Sequence, residues 1–275
     1  ISLINKYYNE VMKYYKPIRK DSCNEDQYCE EMKELQFYEV EGFSTHKYKD
    51  ESFSPTDECV KKISKELATY HNSLPLNYSS SVFVRYDENN VQLIKAMIIG
   101  PKDTPYENGC FVFDIYIPNN YPHSPPKVNL ETTGYRKVRF NPNLYNCGKV
   151  CLSLLGTWSG SQQEKWNKDT STLLQVLVSI QSLIFVEDPY FNEPGYERDI
   201  NTVRGKERSF TYNEIRRKAT VEYAINDMIK TVPDYFKDVV TKHFSMKNEE
   251  IKEKVNIWYN ETVIKKNNFN QIINK

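Results

Sequence analysis

The stretch Leu173–Ile184 constrains the fold more than any other part of this chain. Leu173, Leu174, Val176, Leu177, Val178, Ile180, Leu183 and Ile184 leave few polar positions, and Ser171 stands just ahead as an N-cap. A helix that is apolar nearly all round is predicted to be the buried one, because any face left in water forfeits hydrophobic free energy. The residues before it read as β-strands. Ser81–Tyr86 is short and rich in β-formers, and Asp87-Glu88-Asn89-Asn90 has turn chemistry. Val91–Ile99 and Lys127–Glu131 are further strands. Between them, Cys110–Ile117 alternates, with Phe111, Phe113, Ile115 and Ile117 on one face and Val112, Asp114 and Tyr116 on the other. Short connections favour a four-stranded antiparallel meander, since parallel pairs need long crossovers.

Helices flank this region. Ser54 caps and Pro55 opens a helix with Val60, Ile63, Leu67 and Tyr70 on one face, ending before Pro75. Asp188–Gly195 halts the central helix. Asn213 then starts another, with Val221, Ala224, Ile225 and Met228 on one face. Pro233 starts the next, carrying Phe236, Val239, Val240 and His243, and a last helix carries Ile251, Val255, Trp258 and Tyr259. Nearer the start, Leu3, Tyr7, Val11 and Tyr15 recur at helical spacing, as do Tyr28, Met32 and Leu35 behind a capping Asn24. Gly42–Pro55 is a polar connector. The order helix, strands, helices is α+β. It divides into an N-terminal helical extension (1–54), a central domain (55–230) and a C-terminal helical extension (231–275).

Hydrophobic residues make up 39% and aromatics 13%, enough for a packed core. Lys and Arg number 37, as do Asp and Glu, so no basic excess points to nucleic acid. No apolar run has the length of a membrane span, and Asn5, Lys6, Asn9 and Glu10 interrupt any leader-like stretch. Six cysteines without a Cys-x-x-Cys, and four scattered histidines, disfavour zinc and a disulfide scaffold. No metal and no cofactor is expected. A reducing compartment is expected, cytoplasmic with the nucleus as a further location.

Residues 132–170 have little regular pattern, and a loop of that length in a compact domain is usually functional. It holds Asn141-Pro142-Asn143 and Cys151. Together with "GPKDTPYENGCFVFDIYIPNNYPHSPP" and its Tyr121-Pro122…Pro125-Pro126 turn, "FNPNLYNCGKVCLSLL" resembles the ubiquitin-conjugating enzyme family. That family has His-Pro-Asn, seven residues, then Cys-Leu; here Asn141-Pro142-Asn143 is followed by Leu144–Val150 and Cys151-Leu152. "LPLNYSSSVFVRYDE", "VRFNPNLYN", "EKWN" and "DPYFNEPGYER" narrow the resemblance to the giant inhibitor-of-apoptosis branch, over roughly residues 60–260.

The resemblance implies the ubiquitin-conjugating fold and three catalytic residues. Cys151 would take ubiquitin from an activating enzyme as a thioester and pass it to a substrate lysine. Sulfur suits both steps, being intrinsically nucleophilic and forming a reactive ester. The implied place for it is the rim of a shallow groove. Asn143, eight positions earlier, would donate to the oxyanion formed as lysine attacks. Glu193, before Pro194, would orient the lysine or take its proton, with Asp188-Pro189 the alternative. Asn141 replaces the family's histidine at a position of structural importance. Trp166 matches the tryptophan that packs under the active-site loop. His123, Ser124 and the inserted "SGSQQEKWNKD" occupy surfaces where ligases dock, so partnership with common ligases is in doubt and ligase character of its own is a further expectation. Cys59 and Cys110 read as small buried hydrophobes, and Cys147 as a bystander or a redox partner. The alternatives are a non-catalytic ubiquitin-binding scaffold, conjugation of another ubiquitin-like modifier, and a cysteine hydrolase. The last needs a histidine base, and His46, His71, His123 and His243 stand in no motif with Cys151.

Overall fold

The computed structural model describes residues 24–273, with side chains to 265. The helix expected over Leu3–Tyr15 lies outside the described residues. Helix α1 (Glu25–Lys33) begins where Asn24 accepts a hydrogen bond from the Gln27 N–H at 2.7 Å, and it buries Tyr28 and Met32. Next comes a strand that the sequence reading placed in a purely helical extension. This strand, β1 (Phe37–Val40), pairs parallel with β3 (Ser80–Asp87) at the sheet edge. Four residues are too few to show a period, so only the pairing reveals it.

Helix α2 (Asp57–Leu67) is capped by Thr56, whose hydroxyl accepts from Cys59 N–H; Ser54 and Pro55 precede the cap. Its inward face is Cys59, Ile63, Glu66 and Leu67, whereas Val60 is exposed. A short turn, α3 (Tyr70–Ser73), and the two-residue strand β2 (Leu76–Asn77) lead into β3. Strands β4 (Leu93–Ile99), β5 (Cys110–Tyr116) and β6 (Lys127–Leu130) complete the antiparallel meander, in the order β1-β3-β4-β5-β6.

The period of two sorts the strands into two buried faces. Val82, Val84, Ile94, Ala96, Ile98, Phe111, Phe113 and Ile115 join one core with α2 and the central helix. Phe83, Met97, Ile99, Cys110 and Val112 join a second core on the other face. The central helix α4 (Leu173–Ser179) runs on through a wide π-turn, Ile180–Ile184. Thr172, not Ser171, is its cap, exchanging hydrogen bonds with Gln175; Ser171 instead accepts from Asn167 N–H. Leu173, Val176, Leu177, Ile180 and Ile184 are buried, but Val178 and Leu183 face solvent. The helix is therefore covered on one side, where it shares a core with the sheet and α2. Glu66 of α2 fixes its start: the carboxylate accepts from Leu173 N–H at 2.8 Å and from the Tyr121 hydroxyl at 2.6 Å.

Helix α5 (Val203–Ala219) starts ten residues before Asn213, with Thr202 as its cap. Its first two turns are polar apart from Val203 and show no apolar stripe. Asn213 lies inside the helix, donating to the Glu187 carbonyl at 2.9 Å. A π-helical stretch, Thr220–Asn226, carries α5 into α6 (Asp227–Lys230). Helix α7 (Lys237–Met246) and the long α8 (Asn248–Ile273) follow. Val221, Ile225, Phe236, Val239, Val240, Phe244, Ile251 and Trp258 lay this C-terminal half over the sheet's second face, together with Tyr28 and Met32 of α1. Among the described residues no helix is long and apolar enough to cross a membrane.

Candidate active site

The active-site segment leaves the sheet and folds back as a small hairpin. Leu144 bridges Val150, and Lys149 bridges Asn129 beside β6. The Gly148 carbonyl accepts from Leu130 N–H at 2.7 Å. Gly148 turns the chain at φ +94°, where a Cβ would collide with Asn129 Oδ1 and lie 2.8 Å from the Leu130 carbonyl, so only glycine fits.

Asn141 anchors the near end. It is fully buried, and its Nδ2 donates to the Ile184 carbonyl at 2.7 Å and to the Tyr106 hydroxyl at 3.1 Å. Its Oδ1 accepts from Asn143 N–H at 2.8 Å. The side chain thus ties the segment to the carbonyl released at the end of the π-turn, a structural task that suits an amide as well as an imidazole.

Asn143 and Cys151 meet across the segment. Cys151 N–H donates to the Asn143 carbonyl at 2.9 Å, and Asn143 Nδ2 donates to the Cys151 carbonyl at 2.8 Å. One N–H of that amide is therefore engaged, and among the described residues the second remains for another acceptor. Thr157 clasps the backbone on both sides of the cysteine: its hydroxyl donates to the Val150 carbonyl at 2.8 Å and accepts from Leu152 N–H at 3.0 Å. The sequence carried no sign of this clasp, because one threonine in an irregular loop has no period to betray it.

Cys151 is only 1% exposed, so the expectation of a sulfur open at a groove rim is corrected. It is covered without being part of either apolar core, although Val150 and Leu152 on each side belong to one. Burial pushes its thiol up, while Lys149 and Arg139 pull the other way and Cys147 adds to the rise. Cys59 is pushed up to about 11 by burial, and in the core Cys110 is driven up by burial alone. Cys147 lies exposed on the hairpin.

The sequence profile of the family described as ubiquitin-conjugating enzyme matches residues 62–219. The chain is 46% identical over 270 residues to a Mus musculus protein named dual E2 ubiquitin-conjugating enzyme/E3 ubiquitin-protein ligase BIRC6, covering 93% of this chain and 6% of that one. It is 56% identical over 199 residues to probable ubiquitin-conjugating enzyme protein 17 of Caenorhabditis elegans, covering 72% of this chain and 27% of the relative. This chain belongs to the ubiquitin-conjugating enzyme family. It spans only a small part of these relatives, at 6% and 27% of their lengths.

Glu193 and Asp188, the two acids read from the sequence as candidates, lie in different surroundings. Glu193 Oε2 lies 3.2 Å from Arg139 Nη2, which also donates to the Pro142 carbonyl at 2.7 Å. The carboxylate is thereby linked to the Asn141-Pro142-Asn143 turn. Asp188, the alternative, accepts a short 2.5 Å hydrogen bond from Ser209 of α5 and holds that helix. Trp166 meets the Tyr121-Pro122 turn: its Nε1 donates to the Pro122 carbonyl at 2.6 Å, and its ring tilts against Tyr121 at 5.6 Å. The inserted loop is thus fastened to the Tyr121-Pro122 turn, next to the exposed His123–Glu58 pair.

Proposed function

We propose that this chain receives ubiquitin from an activating enzyme as a thioester on Cys151 and transfers it to a substrate lysine. The observation that carries the proposal is the Asn143–Cys151 pairing, with one amide N–H still unspent beside the cysteine. In loading, Cys151 loses its proton and its sulfur attacks the donor thioester carbonyl; the new C–S bond forms as the donor's C–S bond breaks, and the departing sulfur takes up a proton. In transfer, a neutral lysine amine attacks the same carbonyl. The oxyanion accepts a hydrogen bond from Asn143, the C–N bond forms, the C–S bond breaks with Cys151 leaving as thiolate, and the amine's surplus proton goes to the Glu193 carboxylate and from there to solvent. The donor is already an activated ester, so loading needs little base catalysis. A covered sulfur requires the loop around it to shift as the donor arrives. Ubiquitin, an activating enzyme, protein substrates and a ligase are the partners in this reading, in the reducing cytoplasm or nucleus that a free thiol requires. Ligase character of its own belongs to the same proposal, supported by the dual name of the mouse relative.

The test is incubation with ubiquitin, ATP and an activating enzyme, followed by gels with and without reductant. The expected result is a reductant-sensitive adduct on the wild type and a reductant-resistant one on Cys151→Ser. The covered sulfur favours one other reading, a scaffold that binds ubiquitin without chemistry; lack of an adduct on the wild type with ubiquitin or any related modifier would favour it. An adduct formed only with another ubiquitin-like protein would reassign the modifier.

A further inference from the structure

Arg139 is the residue at which the hairpin, the asparagine turn and the Glu193 loop come together. Its Nη2 donates to the Pro142 carbonyl at 2.7 Å and pairs with Glu193 at 3.2 Å. Its guanidinium carbon stands 4.4 Å from the centroid of the Tyr145 ring, and the same ring carries the Lys149 ammonium at 5.7 Å. The ring is set by the hairpin itself, since Tyr145 N–H donates to the Lys149 carbonyl at 3.0 Å. Two cations are thus gathered on one aromatic ring in the hairpin that ends at Cys151. Both favour the thiolate, against burial and against Cys147. The other charged or titratable groups around Arg139 are Glu193 and, from α5, Tyr212, which lies under Arg216 at 4.1 Å.

We propose that Arg139 is a positioning residue for both half-reactions: seated on Tyr145, it holds positive charge near Cys151 for loading and keeps Glu193 in place for the acceptor lysine. This rests on the thioester function proposed above. The two tasks call for different properties of the side chain. The first needs only a charge on the ring, which lysine also supplies. The second needs a planar fork that reaches the Pro142 carbonyl and Glu193 together, which lysine lacks.

The deciding measurement needs no ubiquitin. Alkylation of Cys151 is followed across pH by mass spectrometry of its peptide in the Cys147→Ser background, and the midpoint is read rather than the rate. Arg139→Gln is expected to raise the midpoint by about half a pH unit, a size set by solvent screening of a half-exposed cation. Lys149→Met should raise it too. Glu193→Gln should leave it unchanged or lower it, because a negative charge is removed. Arg139→Lys should restore the midpoint. In single-turnover discharge of the loaded enzyme to free lysine, both Arg139→Gln and Arg139→Lys should raise the lysine concentration needed for half-maximal rate. An unmoved midpoint in Arg139→Gln, or an Arg139→Lys variant with normal lysine dependence, overturns the proposal. If Arg139→Gln fails to fold by circular dichroism, Lys149→Met and Arg139→Lys decide with the same readouts. If the wild type accepts no ubiquitin, the function fails on that ground while the midpoints still report on Arg139.

Discussion

At Cys151 two local effects oppose each other. Burial disfavours the thiolate, and the Lys149 and Arg139 charges favour it. The exposed Cys147 has no such cover. A small alkylating reagent at neutral pH is therefore expected to label Cys147 before Cys151, as peptide mapping against time would show; faster labelling of Cys151 would mean that the covering loop stands open in solution. Asn143 acts at the same scale. Its side chain both braces the Cys151 carbonyl and presents a second N–H. Asn143→Ala is expected to slow discharge to lysine by about 10²-fold, the usual loss for one oxyanion donor, while loading stays within a few-fold. Single-turnover loading and discharge, measured separately, check this; equal loss in both would assign Asn143 to structure alone.

Helix α7 shows what one buried side chain does for a whole element. His243 is fully buried, with Nδ1 2.8 Å from the Tyr28 hydroxyl and Nε2 3.2 Å from the Asn108 carbonyl. A carbonyl only accepts, so Nε2 carries the proton and Nδ1 accepts from Tyr28. The ring thereby ties α7 to α1 and to the loop before β5 as a neutral group. Burial, with Lys247 adding to it, pulls its pKa from 6.5 down to about 3. The unfolded chain binds this proton below about 6.5 and the folded chain does not, so stability is full above that pH and is lost as pH falls toward 3. Between pH 7 and 5 this one group removes about 2 kcal/mol. Urea titrations at the two pH values should show that fall, and His243→Gln should flatten it.

For the molecule as a whole, the decisive arrangement is a sheet covered on both faces. Phe83, Met97, Ile99 and Val112 lie under α1, α7, α8 and the π-helical stretch, so the flanking segments complete the core. The same sheet carries a charge cluster that reaches the surface: Lys95 is 2% exposed and bonds the buried Asp114 at 2.5 Å and the exposed Glu131 at 2.7 Å. A chain trimmed to residues 55–230 would return these apolar side chains to water, at about 1.5–3 kcal/mol for each large one fully uncovered. It is expected to melt at a lower temperature than the full chain and to bind a hydrophobic dye. Melting curves of the two proteins, with dye fluorescence, check this; identical curves would show that the central segment is stable by itself.

Strong periods were legible in the sequence. The β5 alternation, the stripe of Phe236, Val239, Val240 and His243, and the cap at Asn24 all report local physics, and the four-strand meander follows from them. Cys151 and Asn143 stood out as candidates through the motif that carries the family resemblance. What local pattern could not carry was set by partners distant in the chain. Strand β1 exists because β3 offers it an open edge. The start of α5 is polar, so its helix is visible only in place. Val178 and Leu183 are apolar yet exposed, since a helix buries just the side its neighbours cover. The depth of Cys151 and the gathering of Tyr145 and Glu193 on Arg139 likewise belong to the tertiary structure, because charge and solvent act through space and not along the sequence.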